Sequence, residues 1–473
     1  MKKVKQILVT GMVCLLLCMC KRGNSEKMAE SVSPIKMSLN HDTIFTGKNK
    51  SVLVTIRIEN SRQAKEMLIR KSSDSNMTLK KVSGAELKDG YDFSYMVGDE
   101  DGETFDIIFN IIGLDDKMHD SKRLHIDTRI GLIPYGTERT ARVTGKSLPG
   151  ENLPNPNKSD QLYDVGGTDL GIMWEMGNGA IGIFFGDTHG RNFSPAPAGG
   201  PNGGNWRSNV LAFSSDNDLN DGLAFSGMVM EGNTTVAKEI IYSPHITNGT
   251  GSHTTIPTAA IHANGAEYVH YMDVKRWGEA GRWETNFSGL YTSIDNGLNW
   301  AACPEVRFAA SSNFAQAAYA KKDGYVYMIG TESGRFGSAY LARFREADIL
   351  RTDQYEYWSG SAGWVQNNES AASPIFKGPV GEISLVYNTK HKRWIATYLN
   401  EKRGEIVMRE TRQITDAWSV ERPLASSKNY PGLYGAFIHP SKNDGDELYF
   451  LLSLWQPYNV FLMKSRLKMT EDN

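Results

Sequence analysis

The 473-residue chain has few cysteines and little long apolar sequence. Three of its four cysteines lie within the first 20 residues, and the fourth is Cys303. A processed chain would therefore have no intramolecular disulfide pair to form. After residue 20 no stretch reaches the ~18 apolar residues that a transmembrane helix needs. Stability must come from a large hydrophobic core, which the length of the chain permits.

The small net charge and the absence of several sequence motifs argue against some classes of function. The formal net charge of −2 argues against a nucleic-acid partner held by bulk electrostatics. The ten histidines show no H-x-x-x-H or H-E-x-x-H spacing, and no phosphate loop, dinucleotide fingerprint or G-x-S-x-G motif is present. The run Asp216–Gly222 resembles a calcium loop, but its glycine comes one position late, so we interpret it as a turn. We therefore predict no metal, no cofactor and no nucleic-acid partner.

The N-terminus has the pattern of an export signal. Three lysines within the first five residues precede an apolar run that ends near Met19 and is too short to span a bilayer. The run closes on Leu17-Cys18-Met19-Cys20, which resembles a bacterial lipoprotein cleavage box with Cys20 as the lipidated residue. Plain cleavage, or cleavage before Cys18, is the alternative. We predict a signal peptide at 1–20, a tether at 21–32 and an exported protein, anchored by lipid to a bacterial membrane in the periplasm or at the cell surface.

The composition favours an all-β protein. Gly is abundant (46 residues), aromatic residues make up 10% of the chain, and long amphipathic helical runs are scarce. Residues 33–129 contain short alternating runs such as Val52–Ile58 and Phe105–Ile112, separated by polar turns. They predict a small immunoglobulin-like β-sandwich as an accessory domain. Residues 130–160 contain four prolines among Gly, Asn and Lys, which predicts a linker.

Residues 161–473 show an irregular repeat. Five apolar strands that carry aromatic residues recur, and four of them follow a turn that contains glycine, which predicts a five-bladed β-propeller catalytic domain. Ser293–Trp300 fits S-x-D-x-G-x-x-W, the Asp-box turn of sialidase-like and other propellers, so we expect Asp295 to fix a turn rather than to catalyse. The five strands are Ile181–Phe185, Tyr268–Tyr271, Tyr325–Ile329, Trp394–Tyr398 and Leu448–Leu452.

Two aspartates flank the first of these turns. Asp169 and Asp187 each lie nine residues from Asn178, the centre of a hairpin signal, so an antiparallel hairpin would bring both to one end. Two carboxyl groups at the rim of a propeller funnel suit a general acid paired with a base or a nucleophile on a glycosidic bond. The alternative is that one of the aspartates only caps a turn. Glu382, just before another apolar strand, is a third candidate, or else a solvated residue at the start of that strand.

Further side chains have the chemistry of a carbohydrate site. Arginine, asparagine and glutamine offer planar hydrogen-bonding groups for sugar hydroxyls, while tryptophan and histidine offer stacking faces. The same residue types also pack commonly on the surface of a propeller blade. The substrate-binding candidates are His189, Arg191, Trp206, Arg207, Asn209, His262, Trp277 and Gln316.

The sequence around the two aspartates resembles a known family. Its most specific pieces are Gly167-Thr168-Asp169-Leu170-Gly171 and Phe185-Gly186-Asp187-Thr188, and the resemblance covers about residues 161–467. The family is domain of unknown function 4185, whose members resemble five-bladed propeller glycosidases and are placed with the endo-D-arabinanases of glycoside hydrolase family 183. The resemblance implies hydrolysis of α-linked D-arabinofuranose backbones, as in arabinogalactan and lipoarabinomannan. It also places the two essential acids on Asp169 and Asp187.

We therefore expect a monomeric exported glycoside hydrolase that cleaves α-D-arabinofuranosyl linkages inside D-arabinan by a two-carboxylate mechanism. Attack by water requires carboxyl groups roughly 6.5–9.5 Å apart, and covalent attack requires roughly 5–5.5 Å. Two rival hypotheses stay open. One is a non-catalytic surface propeller that binds glycans, and the other is a propeller glycosidase for another sugar, such as L-arabinan or a sialoside.

Overall fold

The computed structural model describes residues 34–72, 78–88, 90–196 and 199–470. The predicted signal peptide, Cys20 and the tether lie outside these residues. The described chain is built almost entirely of antiparallel strands, which confirms the all-β prediction. It divides into two compact units. One holds the described residues up to Ile44 together with Asn49–Asp127, and the other holds Phe45–Lys48 and the chain from Thr128 onward.

The first unit contains two antiparallel sheets, ordered β1-β3-β6 and β2-β8-β7-β4-β5. Alternate residues of β3 and β7, such as Val54 and Phe109, are buried in one shared core, as period-two patterning requires. The two sheets lie where a β-sandwich is predicted, and its immunoglobulin-like character stays a prediction. The strands are β1 (Lys36–Leu39), β2 (Thr43–Phe45), β3 (Ser51–Glu59), β4 (Ala64–Lys71), β5 (Thr78–Ser83), β6 (Tyr91–Met96), β7 (Thr104–Gly113) and β8 (Met118–Asp127), with 3-10 turns at Ser61–Gln63 and Gly84–Leu87.

The second unit contains five antiparallel sheets. The first consists of β10 (Leu170–Glu175), β11 (Ile181–Phe185), β12 (Val210–Ser214) and β13 (Gly227–Met228). The second consists of β14 (Thr254–Ala263), β15 (Ala266–Trp277), β16 (Trp283–Ser293) and β17 (Ala301–Ala309). The third consists of β18 (Gln316–Lys322), β19 (Tyr325–Thr331), β20 (Tyr340–Arg345), β21 (Glu356–Trp358) and β22 (Trp364–Gln366).

The fourth sheet consists of β23 (Ile383–Asn388), β24 (Arg393–Asn400), β25 (Glu405–Thr411) and β26 (Arg422–Ser426). The fifth consists of β27 (Leu433–Ile438), β28 (Glu447–Leu454), β29 (Asn459–Met469) and β9 (Leu132–Arg142). Helical segments are short: α1 (Ser159–Leu162) and 3-10 turns at Glu346–Asp348, Thr352–Gln354, Gly360–Ala362 and Glu369–Ala371.

The five sheets form a propeller-like ring. The first strands β10, β14, β18, β23 and β27 contact one another in that order, and β27 contacts β10 in turn. The five aromatic strands found in the sequence are β11, β15, β19, β24 and β28, the second strand of each sheet. These strands are paired on both edges and mostly buried on both faces, so their residues form near-continuous apolar runs.

The ring closes with strands from both ends of the unit. β9 pairs antiparallel with β29, with Leu132 opposite Met469 and Pro134 opposite Leu467. The prediction of a linker over 130–160 is therefore wrong for 132–142. Pro134 misleads because proline is rare in central strands, yet β9 is the outer edge of its sheet, where a missing N–H is tolerated.

The Asp-box lies between β16 and β17. Asp295 Oδ1 accepts hydrogen bonds from Ser293 Oγ (2.8 Å) and the Asn299 backbone N–H (2.9 Å). The Trp300 indole donates to the Gly297 carbonyl at 2.8 Å. The turn-fixing role predicted for Asp295 is thus confirmed.

Cys303 is buried, and among the described residues it forms no disulfide. No helix in the described part of the chain has both the length and the apolar character needed to cross a membrane.

Candidate active site

The hairpin β10–β11 positions both aspartates. Glu175 lies opposite Ile181, so the hairpin is centred on Asn178, as predicted. Asp169 immediately precedes β10 and Asp187 follows β11 by two residues. The two carboxylates therefore lie at the open end of one hairpin.

A β-bulge at Gly171 shifts the register beside Asp169. Leu170 pairs with Phe185, whereas Ile172 pairs with Phe184, and both Leu170 (φ 66°) and Gly171 (φ 97°) have left-handed backbone conformations. A left-handed leucine is strained, and such strain is concentrated at functional sites. Bulges next to a site re-aim a side chain.

The bulge places Asp169 opposite Gly186 rather than opposite Asp187. The Gly186 backbone N–H donates to the Asp169 carbonyl at 3.1 Å. A Cβ atom on Gly186 would overlap Asp169 Oδ1, so a larger residue here would displace the carboxyl group from this position. The glycine of the Gly-Asp-Thr motif therefore helps to place Asp169 across the hairpin.

Both aspartates line a cavity of about 760 Å³ in the second unit. Three tryptophans, Trp277, Trp283 and Trp455, contribute to its walls. Trp277 and Trp283 pack edge to face, with ring centroids 5.6 Å apart and an interplanar angle of 73°. A mostly apolar, aromatic cavity with a few convergent polar groups is typical of a ligand site.

Asp187 is buried and held by two donors. Its Oδ1 accepts hydrogen bonds from the Trp206 indole at 2.8 Å and the Thr254 hydroxyl at 2.6 Å. Burial raises the pKa of Asp187 to about 6, because the charged form loses its water. The bonds from Thr254 and Trp206 favour the charged carboxylate and limit that rise.

Asp169 lies beside two tyrosine hydroxyls. Its Oδ2 accepts a hydrogen bond from the Tyr434 hydroxyl at 3.0 Å. Its Oδ1 is buried and has no hydrogen-bond partner among the described residues. Burial, followed by repulsion from Asp187, raises the pKa of Asp169 to about 8, and the hydroxyls of Tyr434 and Tyr458 offset part of this rise.

The two pKa values assign different states to the two groups at neutral pH. Asp169 retains a proton and Asp187 carries the negative charge. Two nearby carboxyl groups whose environments separate their pKa values are typical of an acid paired with a base or nucleophile.

An arginine-centred ion-pair cluster forms another wall of the cavity. Arg335 Nη2 lies 2.7 Å from Glu382 Oε1, and Arg335 Nη1 lies 3.1 Å from Glu401 Oε2. Its guanidinium lies 5.2 Å from the centre of the Tyr434 ring. Glu382 therefore lines the cavity as predicted, but its contacts make it an anchor for Arg335 rather than a third acid.

Some predicted binding residues reach the cavity or its immediate support. Trp277 and Gln316 line it, and Gln316 also donates to the carbonyls of Glu332 (2.9 Å) and Gly334 (2.7 Å). Trp206 holds Asp187, and the ring of His189 lies parallel to it, with centroids 6.2 Å apart and an angle of 7°. Trp206 thus bonds Asp187 directly, and His189 packs against Trp206.

Three other predicted binding residues do not line this cavity. The Arg207 guanidinium donates to the Ala237 and Asp164 carbonyls. The Asn209 amide group bonds the backbone of Ile241 and Thr255. Arg191 pairs with the Asp164 carboxylate at 3.1 Å. Their planar groups satisfy protein polar groups, which the residue type alone cannot reveal.

His262 lies at the turn end of the hairpin and does not line the cavity that holds the two aspartates. It lines a second cavity, of about 550 Å³, which also contacts Glu175 at the far end of β10. His262 Nδ1 lies 2.8 Å from Glu267 Oε1. Glu267 also accepts hydrogen bonds from the Trp174 indole (2.7 Å) and the Gly177 N–H (2.9 Å), so this cluster joins the first two sheets.

Several cavity residues were missed by sequence reasoning. They come from other sheets and the loops between their strands, and include Arg335, Glu401, Tyr434, Trp455 and Tyr458. One signal could have found part of the site. In a ring of sheets the beginnings of the first strands converge, and at or next to those beginnings stand Asp169, Thr254, Gln316, Glu382 and Tyr434.

The described residues contain no group of three or more His, Cys, Asp or Glu side chains placed to hold a metal ion.

Comparisons with known proteins identify a matching protein family and several distantly similar proteins. Residues 154–464 match the family model described as "Domain of unknown function (DUF4185)". Notoamide biosynthesis cluster protein J' from Aspergillus versicolor is 27% identical over 350 residues, which cover 70% of this chain and 92% of that protein. Notoamide biosynthesis cluster protein J from Aspergillus sp. (strain MF297-2) is 26% identical over 352 residues, covering 70% and 90%.

Among solved structures, the family 117 glycoside hydrolase Zg3597 from Zobellia galactanivorans is similar over 72% of this chain and 91% of its own. The identity is 10% and the TM-score is 0.42.

Proposed function

This chain belongs to the DUF4185 family, and from that premise we propose that its second unit is a five-bladed β-propeller glycoside hydrolase. Its proposed reaction is cleavage of α-D-arabinofuranosyl linkages inside D-arabinan. The observation that carries the proposal is the Asp169–Asp187 pair, with pKa values raised to about 8 and about 6 in one aromatic cavity. The substrate rests on the resemblance of the surrounding motifs to endo-D-arabinanases of glycoside hydrolase family 183.

The protonation states suggest the roles of the two acids. Asp169, protonated at pH 7, donates its proton to the glycosidic oxygen as the bond breaks. Asp187, charged at the same pH, stabilises the positive charge that develops at the anomeric carbon, by attacking it or by activating water. Trp206 and Thr254 fix the Asp187 carboxylate, so little reorganisation is needed during the reaction.

The aromatic walls suit a flexible furanose ring. Trp277 and Trp455 are 40% and 45% exposed, and both line the cavity. Rigid rings on its walls can hold a sugar in a reactive pucker beside the carboxyl groups.

The test uses mycobacterial arabinogalactan and the release of oligosaccharides. Asp169→Asn and Asp187→Asn should each lower the rate at least ~10²-fold, because each removes a group that acts on the reacting bond. Asp295→Asn is the matched control, since Asp295 is an aspartate of the Asp-box turn that does not line the cavity. No release by the wild-type protein would overturn the proposed reaction.

A second candidate is a non-catalytic propeller that binds glycans at the cell surface. The exposure of Trp277 and Trp455 favours it, since binding alone would need aromatic platforms but neither aspartate. Binding of arabinogalactan without release, unchanged by Asp187→Asn, is the result that would select this candidate.

We also propose the cellular setting from the N-terminal sequence: an exported monomer, lipid-anchored through Cys20, with the first unit as an immunoglobulin-like accessory domain. The pattern that supports this setting is a lysine-rich N-terminus followed by an apolar run that ends at Cys20. Cys20→Ala should move the protein from the membrane fraction to the soluble fraction of cells. Retention in the membrane fraction would contradict the anchor.

A further inference from the structure

Three polar atoms of cavity-lining side chains have no hydrogen-bond partner among the described residues. They are Asp169 Oδ1, Glu382 Oε2 and Trp283 Nε1, and all three are buried. Buried polar groups in proteins are nearly always hydrogen-bonded, and an unpaired one destabilises the fold. Unpaired groups that collect around one cavity therefore indicate a ligand. Asp169 is already accounted for by the proposed reaction, which leaves Glu382 and Trp283.

Arg335 joins these two residues into one structural group. Its Nε and Nη2 both bond Glu382 Oε1, at 3.0 and 2.7 Å, which leaves Oε2 free. Its guanidinium also lies 5.9 Å from the centre of the Trp283 ring. The side chain of Arg335 is only 18% exposed, so this arrangement is fixed within the wall of the cavity.

The charges around Arg335 indicate which kind of ligand this wall of the cavity can accept. Arg335 is shared by Glu382 and Glu401, so two carboxylates face one guanidinium and the local net charge is negative. The other cavity arginine, Arg282, stacks on Phe336 at 4.3 Å, and Glu279 stands near it in the lining. An anionic ligand would therefore meet repulsion beside Glu382.

We propose that Glu382 and Trp283 form a hydroxyl-binding subsite that holds an uncharged sugar unit beside the two aspartates and excludes anionic sugars. A sugar hydroxyl donates to Glu382 Oε2, and a neighbouring hydroxyl oxygen accepts from Trp283 Nε1. Arg335 orients Glu382 instead of binding a carboxylate of the ligand. This inference rests on the proposed function, because it names the substrate class of the same site.

The experiment compares two probes with the same carbon skeleton, D-arabinitol and D-arabinonate, by isothermal titration of the full chain at millimolar probe concentrations. The wild-type protein should bind the neutral probe at least about tenfold more tightly. Glu401→Gln leaves Arg335 with one carboxylate, and should strengthen binding of arabinonate enough to reduce that ratio about fivefold. A residue with only a structural role would weaken both probes alike.

Two further variants complete the test. Trp283→Phe keeps a ring but removes the indole N–H, and should weaken D-arabinitol binding about fivefold; it also serves if Glu401→Gln does not fold. Glu356→Gln is the matched control. It removes a carboxylate from a similar ion pair, Arg343–Glu356 at 2.8 Å in the third sheet, outside this cavity, and should leave the ratio unchanged.

Equal affinity of the wild-type protein for both probes, or no binding of either, would overturn the subsite. So would a ratio that Glu401→Gln and Trp283→Phe leave unchanged. The hydrolase proposal fails separately: a wild-type protein that prefers D-arabinitol but releases nothing from arabinogalactan keeps the subsite and loses the reaction.

Discussion

The two ends of the hairpin β10–β11 both place buried carboxylates, but they satisfy them differently. At the turn end, Glu267 is 2% exposed and accepts hydrogen bonds from Trp174 and Gly177 besides its contact with His262. At the open end, Asp169 has one oxygen without a partner among the described residues. Burial alone therefore does not mark the candidate site. An unsatisfied carboxyl group beside a cavity does.

The largest expected effect is a loss of activity when a carboxylate at the open end of the hairpin is replaced, and not when one at the turn end is replaced. Asp187→Asn should lower kcat/KM on arabinogalactan at least ~10²-fold, because the charge that assists bond breaking is lost. Glu267→Gln should leave kcat/KM within about threefold but lower the free energy of unfolding by about 1–3 kcal/mol, because it disturbs a buried hydrogen-bonded cluster. Rate assays and chemical denaturation measure the two effects. Equal loss of activity in both variants would remove the distinction between the ends.

The pH dependence of activity should come from the open end alone. As pH falls below about 6, Asp187 gains a proton and loses its charge; as pH rises above about 8, Asp169 loses the proton it donates. We expect a bell-shaped profile of kcat/KM with limbs near these values. Glu267→Gln should show the same limbs. A flat profile between pH 5 and 9 would contradict the assigned protonation states.

The limbs of the profile should move when single hydrogen bonds to the aspartates are removed. Thr254→Val removes a bond that favours charged Asp187, so the acid limb should move up by ~0.5–1 pH unit. Tyr434→Phe does the same for Asp169 and should move the basic limb up. Tyr319→Phe, which removes the hydroxyl that bonds buried His270, is the control and should move neither limb. A downward shift in either test variant would reverse the assignment of that limb.

The smallest expected effect is on stability. Because the folded pKa of Asp169 is raised, its stability cost is absent below pH about 4, grows between pH 4 and 8, and is complete above pH 8. Asp169→Asn should therefore raise the free energy of unfolding by at least ~1 kcal/mol at pH 9, and by less at pH 5. Thermal or denaturant unfolding at both pH values measures this. An equal change at both pH values would show that ionisation of Asp169 is not its source.

Local patterns in the sequence predict much of this architecture. The turn residues around Asn178 predict the register of the first hairpin, because an Asn-Gly turn leaves few ways to pair its strands. The Asp-box predicts its own turn, because Ser293 and Asp295 bond within a few residues. The apolar runs predict the second strand of each sheet, because those strands are paired on both edges.

Features that depend on a single-residue shift or on distant chain segments could not be predicted in this way. The bulge at Gly171 changes which residue lies opposite Asp169, yet the alternation of apolar and polar residues in the sequence does not predict it. Tyr434, which bonds Asp169, is 265 residues away in sequence, and Arg335, whose guanidinium lies over the Tyr434 ring, comes from a different sheet again. Arg207 and Asn209 carry polar groups of the kind that bind sugar hydroxyls, but these groups donate hydrogen bonds to backbone carbonyls instead.

The pairing of β9 with β29 has a consequence for how the protein is made. Near this seam the Gly131 N–H donates to Thr470 Oγ1 across 339 residues of sequence. During translation β9 is synthesised before every other strand of the ring, and β29 is synthesised last. The ring therefore cannot close until β29 has been synthesised, and a growing chain that lacks β29 keeps open sheet edges that chaperones or neighbouring chains can pair with.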